Sequence, residues 1–289
     1  MLKSLSLSAL LLALPAAAGA LPAPAPAPQQ QQQPDKRQPK KKLQASANFA
    51  QYAGRDASNR LIAGGATRGV LEDAARLARE GVEHNEAGRH EQAIAALRKV
   101  AEMTPDSAVA HYNLGVAYED GGRKAEAVTA YRKAAALASD MNLLAVSNYN
   151  LGNVLASDGK FAEAVAAYRK VVELLPAESV AHYNLALGLA GAGKLAEAVA
   201  EFKEAVRLNP QYAEAFFNLG IVLGLQEKYD EAAGAFREAV RLKPDYSDAR
   251  YNLGLVYLAL DNGAAAQAEI KALDKLNPDL AAKLKSLGN

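Results

Sequence analysis

The feature that most constrains the fold is a repeat with a period close to 34 residues. A small residue recurs in similar surroundings at spacings of 34, 37, 34, 34 and 34 residues. These residues are Gly81, Gly115, Gly152, Ala186, Gly220 and Gly254. If each is the eighth residue of a unit, six units begin at Ala74, Ala108, Ala145, Ser179, Ala213 and Ser247. Such a period predicts tandem supersecondary units that stack on their neighbours.

Each unit has the pattern of a helical hairpin. An apolar pattern with helical periodicity runs for about fourteen residues, breaks at a polar turn such as "DGGRK" or "GAGKL", and then resumes. The small eighth residue on the first helix and an alanine at position twenty on the second predict a close approach of the two backbones. The alanines are Ala93, Ala127, Ala164, Ala198, Ala232 and Ala266.

A bulky residue at position twenty-four and a proline at position thirty-two complete the unit. The bulky residues fill the space around the helix contact: Leu97, Tyr131, Tyr168, Phe202, Phe236 and Ile270. The prolines end the second helix, because proline does not continue one: Pro105, Pro176, Pro210, Pro244 and Pro278. Together these positions resemble the tetratricopeptide repeat family over roughly residues 74–280.

That resemblance implies an all-α fold, a right-handed superhelical solenoid of about six helical hairpins with a C-terminal capping helix. The predicted repeats are 74–107, 108–144, 145–178, 179–212, 213–246 and 247–280. After Pro278, "DLAAKLKSLGN" has an amphipathic pattern, which predicts a helix that covers the last repeat and ends at Gly288, so residues 281–289 hold its end.

Two repeats depart from the family pattern. The first has Glu80 where leucine is usual and His84 where an aromatic residue or leucine is usual. As terminal repeats often do, it has an outer face that tolerates such changes. The second repeat has three extra residues and no closing proline. We expect the extra residues to lengthen its second helix and to change the angle at which the third repeat stacks.

The same resemblance implies that positions two, five, six, nine, twelve and thirteen of the first helices face a concave groove. Position six is asparagine in five repeats: Asn113, Asn150, Asn184, Asn218 and Asn252. Position five is aromatic in the same repeats: Tyr112, Tyr149, Tyr183, Phe217 and Tyr251. An asparagine amide can pair with the backbone of an extended peptide, and the rings add apolar contact area.

These ten residues are therefore the predicted peptide-binding site. Two alternatives stay open at this point. The asparagines are equally suited to joining adjacent repeats, and the aromatic residues to packing between repeats. About every third residue of an extended peptide would meet one asparagine, because neighbouring helices lie roughly 8–10 Å apart and the peptide advances about 3.3 Å per residue.

Other groove positions indicate the class of partner. Family members that clamp a terminal carboxylate place lysine or arginine on their first helices. Here position nine holds Val116, Asn153, Leu187, Ile221 and Leu255. Position two holds Val109, Val146, Val180, Glu214 and Asp248. We therefore expect a largely apolar or uncharged polypeptide segment as the partner.

No catalytic, metal or cofactor motif is present in the sequence. The chain has no cysteine, which excludes disulfides, thiolate metal sites and a cysteine nucleophile. His111 and His182 occupy equivalent positions of two repeats, where packing explains them, and His84 and His90 flank a turn without a carboxylate at ligand spacing. The glycines fall at repeat positions and turns, so they form no phosphate-binding loop. We expect no enzyme, cofactor or bound metal.

The N-terminal region has the pattern of an export signal followed by a spacer. Lys3, an apolar run and Ala18-Gly19-Ala20 predict a signal peptide over residues 1–20. An uncleaved anchor is the alternative, but the apolar run is only about half the length of a membrane span. Residues 21–42 are rich in proline, glutamine and lysine, which predicts a basic, semi-rigid linker. Residues 43–73 predict a partly ordered lead-in, with helix starting near Leu71.

The charge distribution argues against nucleic acid as a partner. Residues 1–42 hold six basic residues and one acid, so the remaining chain, with 27 basic and 31 acidic residues, is mildly acidic. The basic run at 36–42 is either solvated or in contact with anionic lipid or cell-wall polymer.

The sequence predicts a non-enzymatic adaptor or scaffold of the bacterial cell envelope, periplasmic or secreted, that holds a partner polypeptide in its groove. The mature chain would begin at Leu21 and contain no transmembrane helix. Two other interpretations remain. The chain is a self-associating homo-oligomeric component of envelope assembly or secretion machinery, or it is a targeting subunit of a separate enzyme.

Overall fold

The computed structural model describes residues 68–288, which form thirteen α-helices and no strand. The predicted signal peptide at 1–20, the linker at 21–42, residues 43–67 of the predicted lead-in, and Asn289 lie outside the described residues. The described chain divides into two compact units, the N-terminal unit of residues 68–176 and the C-terminal unit of residues 177–288.

The N-terminal unit contains three helical hairpins. Its helices are α1 (Arg68–Glu86), α2 (His90–Met103), α3 (Ala108–Asp120), α4 (Lys124–Leu137), α5 (Met141–Ser157) and α6 (Phe161–Leu174). Each odd-numbered helix packs against the even-numbered helix that follows it, and α2 and α4 also pack against the first helix of the next hairpin. Helix α1 begins slightly before the predicted start at Leu71.

The C-terminal unit contains three more hairpins and a final helix. Its helices are α7 (Ser179–Gly191), α8 (Leu195–Leu208), α9 (Ala213–Leu225), α10 (Tyr229–Leu242), α11 (Ser247–Ala259), α12 (Gly263–Leu276) and α13 (Pro278–Gly288). The hairpins pack in chain order, and α13 packs against both α11 and α12. The predicted all-α arrangement of tandem hairpins with a capping helix is confirmed.

The small residues bring the two helices of a hairpin together in a specific way. The alanines at position twenty are fully buried, as predicted. In the first, second, third and fifth hairpins, the bulky side chain at position twenty-four lies directly on the glycine at position eight of the same hairpin. A Cβ at Gly152 would come within 2.6 Å of the Tyr168 ring, and one at Gly220 within 2.7 Å of the Phe236 ring. Glycine is required there because a methyl group would occupy space that the ring already fills.

The turns inside the hairpins need a left-handed residue. Gly122 and Gly193 supply it with φ of 75° and 76°, at no steric cost. In the last two hairpins a non-glycine residue takes this conformation, Glu227 with φ of 61° and Asp261 with φ of 55°. The turns "QEKYD" and "LDNGA" therefore carry some backbone strain that the turns with glycine avoid.

The three extra residues lie in a different helix from the one predicted. Helix α4 has 14 residues, like the other second helices. Helix α5 has 17, whereas α3, α7, α9 and α11 have 13. The reason is Asp140, whose side chain accepts a hydrogen bond from Leu143 N at 2.9 Å. This cap starts α5 a turn early, so the expectation of a longer second helix was wrong.

The final helix closes the core of the last hairpin. Asn277 caps it by accepting a hydrogen bond from Leu280 N at 3.2 Å, and Pro278 takes the first helical position. Ala281 and Leu284 are completely buried against Tyr251, Leu255, Ile270 and Leu273. An apolar surface that would otherwise face solvent is thus covered.

Candidate peptide-binding face of the first helices

Six positions of each first helix form one continuous stripe. The positions two, six, nine and thirteen, and likewise two, five, nine and twelve, follow one another at spacings of three or four residues, so all six lie on the same face of the helix. We call this set of residues the groove stripe. In the N-terminal unit α1 contacts α3 and α3 contacts α5, and in the C-terminal unit α9 contacts α11. The stripes of these helices are therefore neighbours.

The aromatic residues at position five lie mainly between helices. Tyr112, Tyr183 and Tyr251 are each 2% exposed, and Tyr149 is 7% exposed. Their rings meet the position twenty-four rings of their own hairpins, with centroids 5.8 Å apart for Tyr112 and Tyr131. The corresponding distance is 5.9 Å for Phe217 and Phe236. Phe217 alone among the five is half-buried.

The asparagines at position six are also mostly buried. Asn184 and Asn252 are fully buried, Asn218 is 1% exposed and Asn113 is 6% exposed. Asn150 is half-buried. Three of the amides donate to the carbonyl one turn earlier in their own helix. The Nδ2 atoms of Asn184, Asn218 and Asn252 lie 2.8, 2.9 and 2.7 Å from the backbone oxygens of Val180, Glu214 and Asp248.

Two asparagines also reach the tyrosine of the preceding hairpin. Asn150 Nδ2 donates to the Tyr112 hydroxyl at 3.1 Å, which links α5 to α3. Asn218 Nδ2 donates to the Tyr183 hydroxyl at 3.0 Å, which links α9 to α7. These contacts support the alternative in which the asparagines join adjacent repeats.

Asn252 lacks the equivalent bond because the residue at position five of its preceding hairpin is Phe217, which has no hydroxyl. Within the described chain, Asn252 Oδ1 is buried without a hydrogen-bond partner. Such an unsatisfied buried oxygen is unfavourable, and α9 and α11 lack the asparagine–tyrosine hydrogen bond that links α7 to α9. The sequence shows phenylalanine instead of tyrosine at position five of the fifth repeat. The loss of the hydrogen bond becomes visible only once position six of one hairpin is known to pair with position five of the preceding hairpin.

The surface of the groove stripe comes from other positions. Half-buried apolar side chains occupy it at positions two, nine and thirteen: Val109, Val116, Val146, Val180, Ile221 and Leu225. Glu214 and Asp248 are exposed. A ligand on the stripe of either unit would meet the side chains of that unit directly, including Asn150 in the N-terminal unit and Phe217 in the C-terminal unit. The other eight predicted site residues become accessible only if contacts between helices open.

Two aromatic residues were missed by the sequence reasoning. Tyr212 and Tyr246 are the last residues of the fourth and fifth repeats, just before α9 and α11. The Tyr212 ring lies 4.8 Å from the Tyr183 ring, and the Tyr246 ring 4.9 Å from the Phe217 ring. The signal was a tyrosine at position thirty-four of two consecutive repeats.

The histidines take part in packing contacts. His111 is buried with its Nε2 2.9 Å from the Pro105 carbonyl oxygen. Burial is the main cause that lowers the pKa of His111, and the Pro105 carbonyl opposes it. His182 Nδ1 lies 2.7 Å from Glu201 Oε2 of the same hairpin. Among residues 68–288, no three potential ligand side chains cluster in a way that could hold a metal ion.

Comparison with known families agrees with the hairpin geometry. Family models described as tetratricopeptide repeat match residues 78–142 and 183–247, residues 145–178, and residues 225–287. Together they cover most of the chain. The chain belongs to the tetratricopeptide repeat family. No curated protein matches this tetratricopeptide repeat protein.

Several solved structures are similar to this tetratricopeptide repeat protein. YrrB, described as having an unusual peptide-binding site, is 26% identical, with a TM-score of 0.57 over 66% of this chain and 98% of YrrB. PilW, described as a type IV pilus biogenesis factor, is 20% identical, with a TM-score of 0.58 over 78% of this chain and 100% of PilW. PilF of Pseudomonas aeruginosa is 22% identical, with a TM-score of 0.57 over 76% of this chain and 99% of PilF. The last two share the fold.

None of the helices between residues 68 and 288 combines the length and the apolar character needed to cross a bilayer.

Proposed function

We propose that this tetratricopeptide repeat protein is a non-enzymatic scaffold that holds a partner polypeptide against the groove stripe. The observation that carries the proposal is the row of half-buried apolar side chains on the first helices, which packing within the hairpins leaves accessible. A polypeptide that covered them would remove apolar area from water, at roughly 25 cal/mol per Å². The unusual peptide-binding site of YrrB is compatible with this use of the fold.

The ten predicted site residues have two roles in this proposal. Asn150 and Phe217 contact the partner, because both are partly accessible at the groove stripe. The remaining eight hold neighbouring helices in register, and thereby fix the spacing of the accessible side chains. Variants of Asn218 and Tyr183, two of the eight, test that division.

The envelope location is the second part of the proposal. It is supported by the sequence of residues 1–20, which has the charged, apolar and small-residue regions of an export signal. The role of PilW in type IV pilus biogenesis is compatible with an envelope protein of this fold. Intact-mass measurement of the exported product should give a chain beginning at Leu21. Recovery of residues 1–20 still attached, in a membrane pellet, would contradict the cleavage.

Site-specific photo-crosslinking in the envelope fraction tests the binding face. A photoreactive amino acid at Val146 or Ile221 lies on the groove stripe, whereas one at Ala136 or Arg237 lies at an exposed position of a second helix. We expect partner polypeptides to be crosslinked from the first pair and not from the second.

The same experiment separates the proposal from its alternatives. Crosslinks of the chain to itself, together with a multimer in light scattering, would support a self-associating component instead. Capture only from the second helices would place the partner on the other face and refute the proposed use of the groove stripe.

A further inference from the structure

The chemistry of the groove stripe changes within the C-terminal unit. Position two is valine in the second, third and fourth repeats, but Glu214 in the fifth and Asp248 in the sixth. Both carboxylates are exposed, and each lies in the first turn of its helix, α9 or α11. An acidic edge therefore replaces an apolar one on two neighbouring first helices.

Two contacting aromatic rings connect the segments that carry these carboxylates. The Tyr246 ring lies against the Phe217 ring, with centroids 4.9 Å apart. Glu214 lies one turn before Phe217 on α9, and Asp248 lies two residues after Tyr246. Burial raises the pKa of Tyr246, and the negative charges of Glu214 and Asp248 raise it further. Lys243 Nζ already lies 4.9 Å from the centroid of the Tyr246 ring. An ammonium group is thus accommodated beside this ring in the protein itself.

The rest of the stripe in this unit is uncharged. Ile221, Leu225 and Leu258 are half-buried apolar residues that follow the acidic positions along α9 and α11. The six stripe positions of α7, α9 and α11 include no lysine or arginine. The stripe positions of these helices therefore carry two negative charges and no positive charge next to an apolar surface, and the nearby ammonium groups of Lys243 and Lys283 come from outside the stripe.

We propose that the C-terminal unit docks an extended polypeptide segment that carries two basic residues three positions apart, flanked by apolar side chains. Its ammonium or guanidinium groups pair with Glu214 and Asp248 beside the Tyr246 and Phe217 rings. Its apolar side chains cover Ile221, Leu225 and Leu258. The spacing follows from the roughly 8–10 Å between packed helices and the advance of about 3.1 Å per residue in a polyproline II chain, in which every third side chain lies on the same face. This inference rests on the proposed function and specifies the partner.

A purely structural role for the two acids makes a different prediction. Carboxylates in the first turn of a helix interact favourably with its N-terminus. The residues that precede α9 and α11, Tyr212 and Tyr246, make no side-chain capping bond, so this role is available to both acids. In that case their neutralisation would lower stability and leave the choice of peptide unchanged.

The experiment uses the mature chain, residues 21–289, to select from a random dodecapeptide library. The selection is repeated with the double variant Glu214→Gln, Asp248→Asn. The matched control is Glu227→Gln, Asp230→Asn, which removes the same number of negative charges from exposed sites outside the stripe. Asp230 lies in the first turn of α10, so it also controls for the helix terminus. Selected peptides are then titrated by fluorescence anisotropy at low and high salt.

We expect the wild type and the control variant to enrich peptides with lysine or arginine at a spacing of three. The double variant should lose that enrichment and bind such a peptide about threefold to thirtyfold more weakly, with the difference shrinking at high salt. Enrichment of peptides without basic residues by the wild type would overturn this inference while leaving peptide binding by the groove stripe intact. Failure to enrich any peptide would overturn both. Equal binding by all three proteins would assign the acids to helix stability alone.

Discussion

The hydrogen bond between Asn218 and Tyr183 provides the sharpest test of how the hairpins are joined. Replacing Asn218 by alanine removes its 3.0 Å bond to the Tyr183 hydroxyl and its 2.9 Å bond to the Glu214 carbonyl. Both side chains are almost completely buried, so water does not readily replace the lost partner. A buried group left without its bond costs about 1–3 kcal/mol, which lowers the melting temperature by about 2–12 °C in a chain of this size.

A double-mutant cycle isolates the bond itself. We expect Tyr183→Phe to cost less than Asn218→Ala, because phenylalanine keeps the ring contacts with Phe202 and Tyr212. If the two groups interact, the double variant should lose less stability than the sum of the single variants, by about 0.5–1.5 kcal/mol. Urea denaturation followed by circular dichroism measures the free energies of unfolding. Asn142→Ala, at an exposed position of α5, is the control and should change stability by less than about 0.5 kcal/mol.

A second measurement on the same proteins decides between joining and ligand contact. Each variant is titrated with a peptide selected by the wild type. Additive costs in the cycle, combined with weaker peptide binding by a fully folded Asn218→Ala, would refute the joining role. The asparagine would then be a ligand contact, as the sequence alone allowed.

Three further outcomes follow from the structure. Deleting residues 279–289 should destabilise the protein by about 3–6 kcal/mol, because it exposes the leucines that pack around Leu284. Deleting residues 21–42 should change the melting temperature little, and equal losses from the two deletions would contradict the capping role. Phe217→Tyr should raise the free energy of unfolding, measured by urea denaturation, by about 0.5–1.5 kcal/mol, because the new hydroxyl would reach the amide of Asn252, whose oxygen is unpaired. An unchanged or lower free energy of unfolding would show that the hydroxyl and the amide are misaligned. Because burial lowers the pKa of His111, this residue contributes its full stability above about pH 6.5 and progressively less as the pH falls. Melting temperatures should therefore drop less between pH 7.5 and 5.5 in His111→Asn than in the wild type. Identical slopes would exclude His111 as a source of the pH dependence.

The hairpins were predictable because several independent signals coincide in each repeat. The apolar period, the left-handed turn residue, the buried alanine and the closing proline all specify the same boundaries. The one boundary that failed lies where a signal is missing. Without a proline after α4, the sequence allowed the extra residues to extend either helix, and the capping bond of Asp140 decided the outcome.

The candidate site was predictable only in part. Sequence position showed which residues share a face, but it did not show how deeply each lies. An asparagine that donates to the carbonyl one turn earlier and an asparagine that is accessible to a peptide ligand have the same sequence pattern. Asn184 and Asn252 are fully buried, so the accessible side chains of the stripe are the half-buried valines and Glu214. The contribution of Tyr246 was missed because its stacking partner is 29 residues away in the chain.

The contact between Leu284 and Gly254 has a consequence for the evolution of the chain. In the second, third and fifth hairpins, the closest side chain to the glycine at position eight comes from the same hairpin, whereas in the sixth it is Leu284 of the final helix. Such a hairpin thus contains its own packing partner for that glycine, so this contact is preserved when one whole repeat is duplicated or lost in frame. The last hairpin and α13 must be inherited together. Length variation among descendants of this gene is accordingly expected upstream of residue 247, with the segment from there to the C-terminus kept as a single block.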